Sequence, residues 1–363
     1  MCVRVCIAIG KLLWRYRKRI KLFMIINLLT TKLKNHCDST PFLLKAIGIH
    51  KMWGGIKLSS LVDDDGNTDN LAEIWKCSTN IAGVSVIDSG KFKGLSLIDV
   101  IKKDPKILGY SHLKKRDLPI IVKLIDAFDR LSIQVHPSDE YAAKHEKGQV
   151  GKSEFLYILE AEKGAYVYVG FNKTMSKDRL REVIENGSIE KYLKKIPVKK
   201  GDGLYIPATI IHGIGSGVLA LEVSQNSNVT YRVYDFDRLE MSGKQRELHI
   251  DKAIDVIDIS EICENMILYN KRNYVDRGFE DTLCNCKYFN IKKVVLNKHS
   301  SIDRISMEIN EESFKIILCI EGTGIITYDN NKYSLKKYDC FFIPATTQKI
   351  TINGDLVFLI ITC

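Results

Sequence analysis

An internal repeat constrains this chain more than any other feature. Lys199-Lys200-Gly201-Asp202-Gly203-Leu204-Tyr205-Ile206-Pro207-Ala208-Thr209 matches Lys336-Lys337-Tyr338-Asp339-Cys340-Phe341-Phe342-Ile343-Pro344-Ala345-Thr346 at seven of eleven positions, 137 residues apart. Upstream, Phe155, Ile158, Leu159 and Glu162 match Phe314, Ile317, Leu318 and Glu321 at a spacing of 159. Repetition of this kind builds the same supersecondary unit twice. From about residue 118 the chain runs in short apolar stretches of period two (131–135, 155–159, 165–169, 204–206 and 218–223), separated by Gly, Asp-Gly or Asn turns. Successive strand side chains point to opposite faces, so short alternating runs at this density predict an all-β barrel or sandwich for each copy. One segment breaks the pattern. Over 176–195, Leu180, Val183, Ile184, Ile189, Tyr192 and Leu193 fall at helical spacing among charges, which predicts one or two short helices inserted into the first copy. The insertion is close in length to the 22 residues by which the two repeat spacings differ.

The formal net charge of +10 suggests a nucleic-acid or membrane partner until its distribution is considered. Residues 1–40 hold nine Lys and Arg (Arg4, Lys11, Arg15, Arg17, Lys18, Arg19, Lys21, Lys32, Lys34) against Asp38 alone, a local charge of +8. The remaining chain is close to neutral and lacks the clustered Lys and Arg that phosphate-backbone binding requires. Within 1–40, the basic run 15–21 precedes an apolar run over 22–29. That run is shorter than the roughly 20 residues needed to span a bilayer, and no small-residue cleavage site follows it. The segment reads either as a membrane-surface helix or as an extension ahead of a start at Met24. The ten cysteines (2, 6, 37, 77, 263, 284, 286, 319, 340, 363) form no CxxC pair and no regular framework, which fits free thiols in a reducing cytoplasm. Cys284-Asn285-Cys286 is half a metal site at best, with no second pair and no nearby His to complete it.

The candidate chemistry sits in the first copy. In Leu131-Ser132-Ile133-Gln134-Val135-His136, alternation puts Gln134 and His136 opposite an aliphatic face, roughly 7 Å apart between Cα atoms, where both can reach one ion. Alone, such a His reads more simply as solvated or hydrogen-bonded. Lys152 and Glu154 share a face at the mouth of the next strand, where a surface ion pair is the plainer reading. His212 ends a strand just before the turn at Gly213 and Gly215. The second copy acts as an internal control: by the spacings above, Glu154 becomes Ser313 and His212 becomes Lys349, while Ile-Pro-Ala persists. This favours a functional role in the first copy and predicts no metal in the second. Two His, one Glu and one Gln make a mixed nitrogen and oxygen donor set suited to zinc, and acceptable to Mn or Fe. With one carboxylate and no thiolate, such an ion stays a net-positive Lewis acid, able to polarise a carbonyl or hydroxyl pair. Downstream, Glu222 stands opposite the aliphatic side of 219–223. Arg232 shares a face with Thr230 and Tyr234, either as an edge residue or as a cation facing substrate.

With those residues in hand, the chain resembles the type I mannose-6-phosphate isomerases, in their short bacterial branch of the cupin superfamily. The matching stretches, in order, are Met52-Trp53-Gly54-Gly55, Glu73-Ile74-Trp75, Gly83-Val84-Ser85-Val86, Val122 to Ala127 with Gln134-Val135-His136-Pro137, Lys152-Ser153-Glu154, Ile206-Pro207-Ala208 with His212, and Thr230-Tyr231-Arg232-Val233-Tyr234-Asp235. They span about residues 41–363, and the trimmed helical region fits the short branch. The resemblance implies two cupin-like jelly-roll barrels. Residues 41–275 would form the catalytic domain, 276–363 a C-terminal barrel without metal ligands, and 1–40 an extension outside both.

It further implies one zinc ion per chain held by Gln134, His136, Glu154 and His212, with Arg232 catalytic and Lys152 beside the substrate. The implied reaction interconverts mannose 6-phosphate and fructose 6-phosphate in the cytoplasm, one proton passing between C1 and C2 through a cis-enediol. Glu222, Lys152 and a metal-held water all remain candidates for carrying it, and Lys152 or Lys123 for meeting the phosphate. The rival readings are another metal-dependent sugar-phosphate isomerase or epimerase, and a cupin that binds sugar without turnover. Oligomeric state is open.

Overall fold

A computed structural model describes residues 40–62, 69–240, 242–262, 268–269, 280–297 and 303–363. The expectations for 1–39 lie outside the described residues. Within them the chain is mainly antiparallel β. Three sheets carry the fold: a seven-stranded sheet, a five-stranded sheet and a nine-stranded one.

The first unit is built from the seven- and five-stranded sheets. The larger sheet contains, among others, the neighbouring strands Gly203–Ile206, Glu154–Ala161, Val218–Gln225, Ile120–Ala127 and Leu71–Cys77. The smaller runs Tyr231–Tyr234, Ile133–Val135, His212–Ile214, Tyr166–Phe171 and Leu193–Pro197. Alternation decides what each strand offers. Phe155, Tyr157 and Leu159, with Leu219, Leu221 and Val223, face outward into a core shared with the second unit. Leu156, Ile158, Val218 and Ala220 turn inward to meet Val167, Val169 and Ile214 of the facing sheet. By the same alternation Glu154, Glu222 and Lys123 point into the first unit. The outer side of the small sheet is covered by the helices Lys177–Glu185 and Ile250–Val256 through Val183, Leu180, Ala253 and Ile254.

The inserted helical segment comes as two short pieces. Ser176 caps the helix Lys177–Glu185 by accepting from the Arg179 N–H, and the 3-10 turn Ile189–Tyr192 follows. Residues 193–195, expected to be helical, instead open the strand Leu193–Pro197, which pairs with Tyr166–Phe171. Edge pairing beside the small sheet overrides their helical spacing.

The second unit is the nine-stranded sheet curled around Val294, Ile317, Cys319, Phe341, Ile352 and Phe358. Its long strands Lys315–Tyr328 and Lys349–Thr362 pair along most of their length. The sheet also takes in Phe42–Lys45, which pairs with Cys340–Ile343, and Val86–Ile87 beyond it. Strand pairing therefore crosses the boundary expected near residue 275. Between the units lies a single apolar layer in which Phe155, Leu221 and Val223 pack with Phe314, Ile316, Leu359 and Ile361.

The strand registers also correct the repeat. Ile206 pairs with Glu154, and the equivalent Ile343 pairs with Lys315. The turn contacts agree: the Ile158 N–H donates to the Asp202 carbonyl and the Cys319 N–H to the Asp339 carbonyl. The upstream match is therefore displaced by two residues from the apparent letter match, and Glu154 corresponds to Lys315, not Ser313. A two-residue slip keeps every side chain on its face, which is why the letters alone did not expose it. His212 corresponds to Lys349 as expected: it pairs with Gln134, and Lys349 pairs with Glu308.

Candidate metal centre

Four side chains from three strands converge inside the first unit. Gln134 lies on Ile133–Val135 with His136 just past its end, His212 opens His212–Ile214, and Glu154 opens Glu154–Ala161 on the opposite sheet. The ligand atoms of His136, Glu154 and His212 all lie within 4.8 Å of one another, and the three side chains are buried. Glu154 Oε1 is 3.0 Å from His212 Nε2, and Oε2 is 3.4 Å from His136 Nε2. Each imidazole is oriented by its other nitrogen: Nδ1 of His136 lies 2.9 Å from the Val229 carbonyl, and Nδ1 of His212 lies 2.9 Å from the Ile210 carbonyl. A carbonyl partner places the proton on Nδ1 and leaves the Nε2 lone pair for the centre, the arrangement of a metal-binding imidazole. The Gln134 amide stands 3.4 Å from His212 Nε2, and a half-turn of the amide presents its oxygen there.

The main chain near the site is also unusual. Thr209 adopts a left-handed conformation at φ 75°, and its N–H donates to the His136 carbonyl at 2.7 Å. For a β-branched residue that conformation is strained, and strain of this kind is held only where the surroundings demand it.

Beside the ligand set runs a buried line of alternating charge. Lys152 Nζ is 2.6 Å from Glu154 Oε2 and 3.1 Å from Glu222 Oε1. Lys123 Nζ is 3.7 Å from Glu222 Oε1 and 3.3 Å from Glu73 Oε2, and it lies over the Trp75 ring. Burial alone would raise the carboxyl of Glu154. The Lys152 ammonium and the neighbouring imidazoles instead hold it well below its ordinary value. Glu222 is likewise lowered against its burial, by Lys123 and then Lys152. Burial would discharge Lys152, yet the carboxylates of Glu154 and Glu222 raise it above its ordinary value. For His136, burial and then the adjacent Lys152 lower the imidazole to about 4, so it is neutral near pH 7. Three carboxylates thus meet two ammonium groups, and the group as a whole suits a divalent cation.

Arg232 reaches the site from the edge of the small sheet. It stands opposite Gln134, which stands opposite His212, so the three form a cross-strand row on one face. Its Nη1 donates to the Glu247 carbonyl at 2.7 Å, while its buried Nε has no hydrogen-bond partner. Arg232 also lines an open cavity of about 890 Å³, whose wall includes His50, Met52, Lys51, Lys244 and Arg246. Burial and the nearby Arg246 lower its basicity. Arg246 is itself clamped, with Arg238, on the carboxylate of Asp235.

The structure therefore brings together Gln134, His136, Lys152, Glu154, His212 and Glu222, with Arg232 in the adjoining row. Lys123, considered for a phosphate, and Lys152 are both almost fully buried and committed to carboxylates. Glu73 escaped the site assignment; its alternation with Trp75, whose indole N–H donates to it at 2.6 Å, was the available signal. The cavity wall from the 236–249 loop, which carries Glu240 and Glu247 as well as Lys244 and Arg246, had no periodic pattern to reveal it. The thiols of Cys284 and Cys286 are free. The cluster His136, Glu154 and His212 is the only group of three or more such ligands among the described residues.

Comparison with known proteins shows a family for the chain. The family model for the phosphomannose isomerase type I catalytic domain matches residues 35–167, and that for the mannose-6-phosphate isomerase cupin domain matches 280–362. Mannose-6-phosphate isomerase ManA of Bacillus subtilis is 34% identical over 317 residues, covering 86% of this chain and 96% of ManA. The chain belongs to the type I mannose-6-phosphate isomerase family. The mannose-6-phosphate isomerase of Streptococcus mutans is also 34% identical, covering 87% of this chain and 96% of its own. The crystal structure of a B. subtilis mannose 6-phosphate isomerase superposes with a TM-score of 0.79 at 31% identity, over 89% of this chain and 99% of the other. The cupin-domain model falls on strands of the nine-stranded sheet.

Proposed function

We propose that this isomerase-family chain interconverts mannose 6-phosphate and fructose 6-phosphate, with one zinc ion held by Gln134, His136, Glu154 and His212. The observation that carries the reading is the pair of Nδ1-anchored imidazoles meeting one buried carboxylate, beside a cross-strand arginine. A divalent ion bound there supplies a Lewis acid that favours negative charge on the sugar oxygens. The protein's own groups do the rest. Lys152 enters as the ammonium and Glu222 as the carboxylate, which gives the site an acid and a base 3.1 Å apart. That pair carries the proton work: Glu222 takes the proton from C2 of the open-chain sugar and returns it to C1, while Lys152 steadies Glu222 and the oxygen side, where the hydroxyl proton passes from O2 to O1. Arg232 adds a fixed positive charge where the open-chain carbonyl becomes an enediolate, a role worth two to three powers of ten in comparable sites. The 890 Å³ cavity behind Arg232 takes the phosphate end, with Lys51 and Lys244 as the cations to meet it in a wall that also carries Asp69, Glu240 and Glu247. The free cysteines fit a reducing cytoplasm as the place of action.

The test is a coupled assay of fructose 6-phosphate formation from mannose 6-phosphate, before and after chelation and after zinc is returned. Turnover should vanish with the metal and come back with zinc. Chelator-resistant turnover sinks the metal assignment, and absence of turnover in the metal-loaded protein sinks the isomerase reading.

A further inference from the structure

Two side chains of the second unit reach Asp139, beside the segment that carries Lys152: Lys287, whose exposed Nζ lies 3.7 Å from Oδ2, and Tyr288. Tyr288 Oη donates to Asp139 Oδ2 at 2.9 Å. Asp139 is the first residue of the helix Asp139–His145, and its other oxygen, Oδ1, accepts from the Gly151 N–H at 3.0 Å and from Gln225 Nε2 at 2.8 Å. Gln225 in turn accepts from the Ser153 N–H through Oε1 at 2.9 Å, and its own N–H donates to the Ser153 carbonyl at 3.1 Å. The N–H groups of Gly151 and Ser153, the neighbours of Lys152, are therefore held by Asp139 and Gln225, while the Lys152 N–H donates to the Pro137 carbonyl. Gly151 is required for that close approach, since a Cβ there would lie 2.6 Å from the Asp139 nitrogen and 2.7 Å from the Pro137 carbonyl oxygen. The segment so clamped carries Lys152 and Glu154, whose side chains meet at 2.6 Å.

We propose that Tyr288 is a positioning residue: through Asp139 and Gln225 it sets the placement of Lys152 and Glu154, and this is the contribution of the second unit to the active site. The activity part of the proposal rests on the isomerase reading; the metal-retention part does not. Small displacements at reacting groups cost rate far out of proportion to stability, and loss of outer hydrogen-bond partners weakens a metal site. Tyr288→Phe removes one hydroxyl and keeps the ring.

The experiment compares the full-length zinc-loaded protein with Tyr288→Phe, Asp139→Asn, the double variant, and Leu335→Ala, which hollows the second unit's own core. Tyr288→Phe should lower kcat about fivefold to tenfold with KM within about twofold, and should speed zinc transfer to a chromogenic chelator by a similar factor. The double variant should be no worse than Asp139→Asn, because the two residues act in series. Leu335→Ala should lower the melting temperature by several degrees yet leave kcat and zinc transfer unchanged. Wild-type kcat and wild-type zinc transfer in Tyr288→Phe overturn the proposal, as does an equal loss of both in Leu335→Ala. Should the wild-type protein fail to turn over mannose 6-phosphate, the isomerase reading falls, while the zinc-transfer rates still decide the role of Tyr288.

Discussion

The two units are one design carried to different ends. Matched by strand register, Gln134 corresponds to Glu308, His212 to Lys349 and Glu154 to Lys315. Where the first unit gathers imidazoles around a buried carboxylate, the second closes the equivalent position with an exposed ion pair, Lys349 Nζ to Glu308 Oε1 at 2.9 Å. Glu222 corresponds to Ile360, which packs in the second unit's apolar interior. One element survives in both: Lys123 with Glu73, and Lys292 with Glu280, stand at matching places in their sheets. A diagonal Lys–Glu contact between adjacent strands is therefore compatible with scaffold alone. The imidazoles, the buried Glu154 and the buried Glu222 are not kept in the second unit, and buried ion pairs of this kind contribute little to a scaffold that apolar residues could fill as well.

The comparison breaks most sharply if a ligand is replaced by its counterpart. His212→Lys should leave a folded protein without stoichiometric metal, and should cost more than the roughly 100-fold typical of outer-shell changes at metal sites. Elemental analysis and the coupled assay report both, and full metal content in the variant would remove His212 from the ligand set. Arg232 is the edge member of the row it forms with Gln134 and His212. Arg232→Ala should lower kcat by about 100-fold to 1,000-fold with metal content intact; an unchanged kcat would make it an edge residue after all.

Exchanging interiors tests the scaffold side. Glu222→Ile leaves Lys123 and Lys152 short of a partner and should destabilise by about 3–5 kcal/mol in denaturant unfolding. The milder Ile360→Val should cost only about 1 kcal/mol and leave turnover alone. A comparable loss of turnover in both would mean that the two interiors are not functionally distinct.

The smallest expected effect concerns acid stability. Burial raises the Asp235 carboxyl, but Arg246 and Arg238 outweigh it and hold the group below its ordinary value. A carboxyl with a lowered folded pKa stabilises above its unfolded value, about 3.9, and that stability is lost as pH falls through the folded value. Asp235→Asn should therefore flatten the decline in stability below about pH 4, read by denaturant midpoints across pH, while an unchanged slope would show that Asp235 gains nothing from its arginines on folding.

Much of the site was legible because strand alternation is a local rule. Gln134 and His136, Lys152 and Glu154, and the lone Glu222 each stood out as polar groups opposite apolar ones, and the repeat showed which of them the scaffold does not need. Lys123 and Glu73 were harder, since nothing in their own strands says which carboxylate faces which lysine. The loop over 236–249, which lines the cavity beside Arg232, was harder still, because loops carry no period. The helix at Asp139–His145 hid in a segment too short for helical spacing to register, although Ser138 stood ready as its cap.

By itself the sequence determined two related β units, the inserted helices and the inward-facing donors, because period, turn residues and repetition are properties of neighbouring letters. Only the tertiary structure decided that Glu154 answers to Lys315, that Phe42–Lys45 joins the second unit's sheet, and that Tyr288 reaches Asp139. Each of those depends on register or packing between segments far apart in the chain, and a two-residue slip of register leaves the local pattern unchanged.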